Sequence, residues 1–454
     1  MANNNRYDDR VIGKVILRAT LTNESPLLIG RGGGDAVDIE VMRLPDGKPY
    51  IPASSIAGCL RSFSGGQDGY FWGKTGRNEK TGKSELHPLQ SHIRFDDLIP
   101  ESPYNPKDIV MRDGVKIDHE KGTAEDKKKY DYQIVEPGLN FPFRAEITLR
   151  ASMETGWEDF VKGIKASIES PHFRIGANTN TGFGKVTCTG FQAFHFQFPE
   201  KAEEWFEYLD KSTISIPEMA IEAMPKQLGK GSFSIEATFR LKSSLMIGAY
   251  GINGNEPDKS QLKSRKQHVL PGKSIRGAIR HRAVKIWKIM GSDEAAPFDL
   301  FGHVSEDEKT QIRSRLRVEE FQFQEEEVEP MVQNRIRIDR FTGGVIDGEL
   351  FNSEPVWTTG REQIKLTFTI LKGATEEEKK LLLMLLKDLW LEDLAIGGEK
   401  NVGRGILMGL SAEVWNDGQK VAIFQRKGQG PELEFIKGSA AALNKLVNHQ
   451  PATT

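Results

Sequence analysis

The stretch RIGANTNTGFGKV, Arg174–Val186, returns 221 residues later as AIGGEKNVGRGIL, Ala395–Leu407. Glycine-rich segments of this kind often surround phosphates, but neither common nucleotide fingerprint fits. Val186 stands where a Walker loop needs Ser or Thr, and Thr187 stands where a dinucleotide fingerprint needs its third glycine. The pattern therefore excludes an ordinary ATP or NAD loop, and its return indicates an internal duplication.

Three further pairs of segments extend this duplication. They are VKIDHEKGT with IRIDRFTGG at a spacing of 221, YIPASSIAGCLRS with VLPGKSIRGAIRH at 219, and NESPLLIG with KSSLMIG at 218. Four matches in one order at a nearly constant spacing indicate a tandem repeat. We predict a first module over 1–198, a linker with a short helix over 199–231, a second module over 232–410 and a C-terminal extension over 411–454.

Both copies carry the same order of predicted elements. Alternating apolar and polar residues predict strands, and apolar residues at helical spacing predict two helices per copy, which gives βαββαβ. This order is typical of the ferredoxin-like fold, which RNA-recognition modules also use. We therefore predict an α+β protein of two tandem ferredoxin-like (RRM-like) modules. Each module has a hairpin insertion, over Arg112–Val135 and over Arg335–Val356.

Composition narrows the class of protein. The chain has 454 residues, a net charge of −2 and no apolar run long enough to span a membrane. Its first residues lack the apolar core of a secretory signal, so a cytoplasmic location is expected. Two cysteines and scattered histidines predict neither a disulfide framework nor a zinc site. Nine Lys and Arg without one acid over Gln261–Met290 favour a patch that binds nucleic acid, with a solvated helix face as the alternative.

The duplicated motifs resemble the RAMP superfamily. They are an early IG pair followed by PYIPASSIAGCLRS or HVLPGKSIRGAIRH, FWG…SHIRFDD or LFG…RSRLRVEE, RDGVKIDHEKGTA…YDYQIVEPGLNFPF or NRIRIDRFTGGVIDGELFNSEPV, and the two glycine-rich segments. The resemblance is nearest to backbone subunits of type III CRISPR effector complexes (Csm and Cmr), here as a tandem fusion of two modules, as in type III-D-like complexes.

This resemblance implies a function in antiviral defence. The expected partners are a guide crRNA, complementary target RNA and other effector subunits, including neighbouring backbone modules. The hairpin would be a "thumb" that kinks the guide. An acidic residue on the loop after the first strand would cut target RNA with a divalent metal ion, for which Mg²⁺ is expected.

The candidate RNA-binding residues lie in two kinds of segment. Glycines permit close approach to a phosphate, and helix starts present free N–H groups. In the first module the candidates are Ser54, Ser55, Arg61, Gly176, Gly182, Gly184 and Lys185. In the second they are Lys273, Ser274, Arg276, Arg280, Gly397, Gly403, Arg404 and Gly405, with Lys400 beside them. For the serines alone, ordinary helix capping is the alternative.

The thumb candidates are Arg112, Val115, Ile117, Arg335, Ile336, Arg337 and Ile338. The four apolar side chains would wedge between bases or, alternatively, pack on a neighbouring sheet.

The first candidate for a cutting carboxylate is Asp38, which would hold the metal through bound water. It stands fourteen residues before Pro52, in the Asp-x-x-Val-x-Arg context that resembles slicing subunits. Asp35 is the alternative. Asp258 is the candidate of the second module, although the Val-x-Arg context is lost there. A scaffold that never cuts therefore stays open. A guide-processing nuclease is disfavoured, because no histidine recurs at equivalent positions of the two copies.

Overall fold

The computed structural model describes residues 10–33, 37–65, 71–73, 90–101, 105–118, 121, 123–151, 156–222, 229–250, 257–290, 299–304, 311–428 and 433–437. Asp35 lies outside these residues. The chain divides into two compact units. The first comprises Met1–Met111, Asp131–Ala177 and Gly184–Lys226, and the second comprises Arg112–Tyr130, Asn178–Phe183 and Gln227–Thr454. The second unit therefore includes the outer part of the first thumb and a piece of the first glycine-rich segment.

The first half of the chain repeats the predicted order with a hairpin inserted after the second strand. Its elements are β1 (Val11–Asn23), α1 (Ala53–Ser64), β2 (Ile93–Phe95), β3 (Ile109–Ile117), β4 (Ala124–Val135), β5 (Asn140–Arg150), α2 (Trp157–Ile168), β6 (Val186–Gln197) and α3 (Ala202–Lys211). The main sheet has the order β2-β5-β1-β6 with antiparallel neighbours. This is the ferredoxin-like arrangement, so the predicted fold class is confirmed.

Simple periodicity explains these elements. In β1 every second residue from Val15 to Leu21 is buried, as expected for a strand with one face on a core. In α2 the buried Val161, Ile164 and Ile168 lie three or four residues apart and form one apolar stripe. Burying side chains of this size stabilises a fold by roughly 1.5–3 kcal/mol each.

The second half contains the same core elements and several short strands. They are β7 (Phe233–Leu241), β8 (Ser244–Leu245), β9 (Gly248–Tyr250), β10 (Lys259–Gln261), β11 (Lys263–Ser264), β12 (Gln267–Leu270), α4 (Gly272–Ile289), β13 (His303–Val304), β14 (Gln311–Ile312), β15 (Leu316–Val318), β16 (Phe321–Gln322), β17 (Val328–Pro330), β18 (Gln333–Ile338), β19 (Val345–Glu354), β20 (Val356–Thr358), β21 (Ile364–Ile370), α5 (Glu376–Trp390), β22 (Leu407–Asn416), β23 (Gln419–Arg426) and β24 (Leu433–Lys437). The main sheet has the order β15-β21-β7-β22-β23-β24. Its first four strands reproduce the order of the first module, and β23 and β24 extend the sheet.

Helix α3, inside the predicted linker, covers part of the outer face of the first sheet. Trp205 and Tyr208 pack there against Ile16, Phe194 and Phe196. RNA-recognition modules stack bases on this kind of sheet face. In this module protein side chains occupy the part of the face that α3 covers.

Among the described residues, no helix combines the length and the apolar character that a membrane span requires.

Candidate nucleic-acid interface

Asp38 is exposed and is attached to the outgoing strand of the first thumb, β4. The backbone N–H of Asp38 donates to Oδ1 of Asp131 at 2.9 Å. In return, the backbone N–H of Asp131 donates to Oδ2 of Asp38, also at 2.9 Å. We call this reciprocal pair of hydrogen bonds the clasp. It fixes both the backbone and the carboxylate of the loop aspartate.

The residues after Asp38 continue along the same strand. Ile39 forms a parallel bridge with Tyr132, and the N–H of Gln133 donates to the carbonyl of Ile39 at 2.9 Å. The side-chain oxygen of Gln133 accepts from the N–H of Val41 at 3.2 Å and from Arg43 at 2.9 Å. The Val and Arg of the Asp-x-x-Val-x-Arg context thus join the loop to the thumb.

The second module contains the same clasp with different chemistry. The N–H of Asp258 donates to Oδ1 of Asn352 at 2.6 Å, and the N–H of Asn352 donates to Oδ2 of Asp258 at 3.0 Å. Lys259 then pairs in parallel with Ser353, as Ile39 does with Tyr132. Asp258 therefore occupies the position of Asp38, although the Val-x-Arg context that marks Asp38 is lost around it.

The donor set of the first clasp suits a hydrated magnesium ion. Within the described residues, no hydrogen bond to Oδ1 of Asp38 is found, so the Asp38 carboxylate keeps one oxygen for a ligand while Asp131 holds the other. Mg²⁺ retains several waters and binds through one or two carboxylates together with substrate phosphates. In the part of the chain that the structure describes, no group of three or more His, Cys, Asp or Glu residues could hold a metal ion. The second clasp offers one carboxylate and one amide.

Both thumbs are two-stranded hairpins, formed by β3 with β4 and by β18 with β19. Their turns are made by equivalent aspartates: Oδ1 of Asp118 accepts from the N–H of Lys121 at 2.9 Å, and Oδ1 of Asp339 accepts from Thr342 at 2.7 Å. The four predicted wedge residues remain about half exposed in this chain, at 48% for Val115, 51% for Ile117, 49% for Ile336 and 56% for Ile338. Phe341, at the second turn, is 99% exposed. These side chains are accessible to a partner, and their insertion between bases stays a prediction.

The three thumb arginines differ in their ion-pair partners and in their exposure to solvent. Arg112, whose side chain is 3% exposed, pairs with the buried carboxylate of Glu320 at 2.7 Å inside the second unit. Arg335 pairs with Glu399 at 2.9 Å. Arg337 is 67% exposed and lies 3.5 Å from Glu349, so among these three it presents the most charge to solvent.

The glycines of the two glycine-rich segments have a structural explanation within the protein. A Cβ on Gly184 would lie 1.9 Å from the carbonyl oxygen of Ile175, and one on Gly405 would lie 1.8 Å from that of Ile396. Gly176 and Gly397 similarly approach the carbonyls of Leu28 and Met246. All four have positive φ, which side chains disfavour. A phosphate-binding function for these segments stays a prediction.

Two glycines at equivalent positions differ. A Cβ on Gly182 would lie 2.4 Å from the backbone nitrogen of Glu320, inside the second unit. A Cβ on Gly403 would meet nothing within 4 Å. Of these two glycines, Gly403 is the one with open space on its Cβ side, where another molecule can approach the backbone.

The basic residues near these glycines are paired with acids or partly buried. Lys185 lies 3.1 Å from Glu24. Arg404 is 3% exposed and lies 2.8 Å from Glu399. Burial and the charge of Lys285 lower the pKa of Lys400.

The helix starts contain no serine cap. Helices α1 and α4 begin after Pro52 and Pro271, and neither start has a side-chain capping hydrogen bond. The first N–H of α1, that of Ala53, instead donates to Oδ1 of Asp97 at 2.7 Å. The capping alternative for Ser54, Ser55 and Ser274 is therefore wrong.

The basic side chains of α4 are partly buried, and some of them contact other groups of the protein. The Lys273 ammonium lies 5.2 Å from the ring centre of Tyr130 and 5.9 Å from that of Phe183, and burial together with Arg112 lowers the pKa of Lys273 to about 8. Arg276 donates to the carbonyl of Phe301, and burial lowers the pKa of its guanidinium to about 10. Burial also lowers the pKa of Arg280. In the first module, Arg61 lies half-buried in the last turn of α1.

Asp131 and Asn352 are absent from the sequence-based candidates. Their only signal in the sequence is that each follows its loop aspartate by nearly the same interval, 93 and 94 residues.

Comparison with known families supports the duplication. The family model described as RAMP superfamily matches residues 20–187 and again residues 238–407. A search of curated proteins finds no match.

Proposed function

This chain belongs to the RAMP superfamily, and we propose that it is a backbone subunit of a type III CRISPR effector complex. In this proposal it binds guide crRNA and cuts complementary target RNA at two loop aspartates, one in each module. Its partners are then the guide, the target RNA and the neighbouring effector subunits in the cytoplasm.

The observation that carries the proposal is the repeated clasp. An exposed aspartate lies at the base of a hairpin in each half of the chain, attached to the second strand of that hairpin by the same two hydrogen bonds. The hairpins carry exposed apolar side chains that suit contact with bases. In this proposal, the carboxylate beside each hairpin meets the target strand where the hairpin distorts the paired RNA.

The chemistry follows from the first clasp. Bound Mg²⁺ would supply a Lewis acid for the scissile phosphate. Asp38 is exposed, and one of its carboxylate oxygens is fixed on the N–H of Asp131. This arrangement presents a fixed negative charge without side-chain rotation during the reaction, which favours catalysis.

The test uses the assembled complex with guide, end-labelled complementary RNA and magnesium. Wild type is compared with Asp38→Ala, Asp258→Ala and the control Asp46→Ala, which removes an exposed carboxylate from the same loop region. We expect each of the first two variants to lose a different cut by at least about 10²-fold, the usual range for a catalytic side chain, and the control to retain all of them. Loss in Asp38→Ala alone would limit cutting to the first module.

The alternative is a scaffold that binds crRNA without cutting. It is favoured by the fact that both loop aspartates already have a structural function in the clasp, and that Asp258 lacks the Val-x-Arg context of Asp38. Retention of every cut in both aspartate variants would support this alternative and assign cleavage to neighbouring subunits.

A further inference from the structure

We propose that Asp131 and Asn352 are positioning residues, each of which holds the loop aspartate of its own module in the orientation needed for cleavage. This inference rests on the proposed function. It assigns a function to two thumb residues that do not themselves have to touch RNA or metal.

The first argument is the geometry of the clasp. Each partner donates its backbone N–H to the side chain of the other, so the pair closes a ring of two hydrogen bonds. Oδ2 of Asp38 is held in that ring, and no hydrogen bond to Oδ1 is found among the described residues. An exposed aspartate otherwise samples several rotamers, and a misplacement of about 1 Å can cost 10²-fold in rate.

The second argument is that the two modules achieve the clasp with different residues. Asn352 forms the same two hydrogen bonds as Asp131, at 2.6 and 3.0 Å, but carries no charge. What the two partners share is an acceptor oxygen on the side chain and a donor N–H on an ordered strand. The clasp therefore requires the acceptor and not the negative charge.

The third argument is the rigidity of the support. Asp131 and Asn352 lie on the thumb strands β4 and β19, and the residues after each loop aspartate pair in parallel with the same strand. A site built on a strand holds its geometry better than one built on a loop alone. In each module the loop aspartate is thus tied to the part of the second thumb strand that it pairs with.

The experiment exchanges the partners in the assembled complex. The variants are Asp131→Ala, Asp131→Asn, Asn352→Ala and Asn352→Asp, and single-turnover cleavage is measured separately at each cut. We expect Asp131→Ala to slow the cut of the first module roughly 10- to 100-fold and to leave the other cut and the guide occupancy unchanged. Asp131→Asn should stay within a few-fold of wild type, because the amide oxygen accepts the same N–H. Asn352→Ala and Asn352→Asp should show the same contrast at the other cut.

Hydrogen exchange gives a readout that does not depend on cleavage. In Asp131→Ala the N–H of Asp38 loses its acceptor, so we expect it to exchange roughly five- to tenfold faster, while Asp131→Asn restores protection. A full loss of the cut in Asp131→Asn would overturn the positioning function, since it would show that the charge acts directly. Unchanged exchange in Asp131→Ala would also overturn it. If wild type fails to cut, the proposed cleavage is wrong, and hydrogen exchange still decides whether the clasp holds the aspartate.

Discussion

Asp97 in the first module and Glu320 in the second occupy equivalent positions after the second core strand, but their surroundings are opposite. Asp97 is exposed and accepts the first N–H of helix α1 at 2.7 Å. The Glu320 side chain is 2% exposed and pairs with Arg112 at 2.7 Å inside the second unit. The equivalent position is therefore acidic in both modules, but it makes an exposed helix-start contact in the first and a buried ion pair in the second.

The largest expected effect tests this contrast in the free energy of unfolding. Glu320→Ala leaves Arg112 buried without its main partner, which should cost about 3–5 kcal/mol. Asp97→Ala loses one helix-start acceptor and should cost about 0.5–2 kcal/mol. Denaturant unfolding of the full chain measures both. The double variant Arg112→Met with Glu320→Leu should recover most of the loss, because an apolar pair of similar volume replaces the ions. Equal costs for the two single variants would refute the contrast.

A smaller effect on the free energy of unfolding is expected to distinguish the two glycine-rich segments. Gly403→Ala introduces a side chain at φ +83° with open space around it, so it should cost about 1–2 kcal/mol from the backbone alone. Gly182→Ala, at φ +94°, also places a Cβ 2.4 Å from the backbone of Glu320 and should cost at least about 1 kcal/mol more. Thermal unfolding of both variants checks the order, and a lower cost at Gly182 would contradict the close packing there.

The smallest expected effect on the free energy of unfolding concerns a cross-strand pair that differs between the two main sheets. In the first module Arg94 faces Glu146, whereas in the second Arg317 faces Thr369. Burial raises the pKa of Glu146, but the hydrogen bond from Lys14 and the charges of Arg94 and Arg144 outweigh it, so the pKa lies below its ordinary value of 4.5. The resulting stabilisation is complete above pH 4.5 and is lost as the pH falls through the lowered value.

Glu146→Gln tests this pH dependence. We expect the variant to be about 1 kcal/mol less stable than wild type at neutral pH and the difference to disappear in acid. Denaturant titrations between pH 7 and acid measure it, with Thr369→Ser as a control that removes no carboxylate. A difference that stays constant with pH would rule out the carboxylate as its source.

The sequence alone determined the duplication, the βαββαβ order and the two hairpins, and it made Asp38 and Asp258 candidates. These features follow from local patterns, because strand alternation, helical spacing and turn residues act over a few neighbouring positions. The count of fourteen residues before Pro52 leads to Asp38, and the same count before Pro271 leads to Pro257, between Glu256 and Asp258. The sequence therefore made Asp258 a candidate, and the hydrogen bonds of the second clasp showed that it occupies the position of Asp38.

Only the tertiary structure showed which side chains already have binding partners within the protein. It showed that Asp131 and Asn352 are hydrogen-bonded to the loop aspartates. It also showed that Arg112 forms an ion pair with Glu320, 208 residues away in the sequence. At the start of α1, the acceptor is Asp97 rather than a serine. The reason is physical: such contacts depend on strand register and on how separate segments pack, and a register change of one residue turns every side chain of a strand to the opposite face.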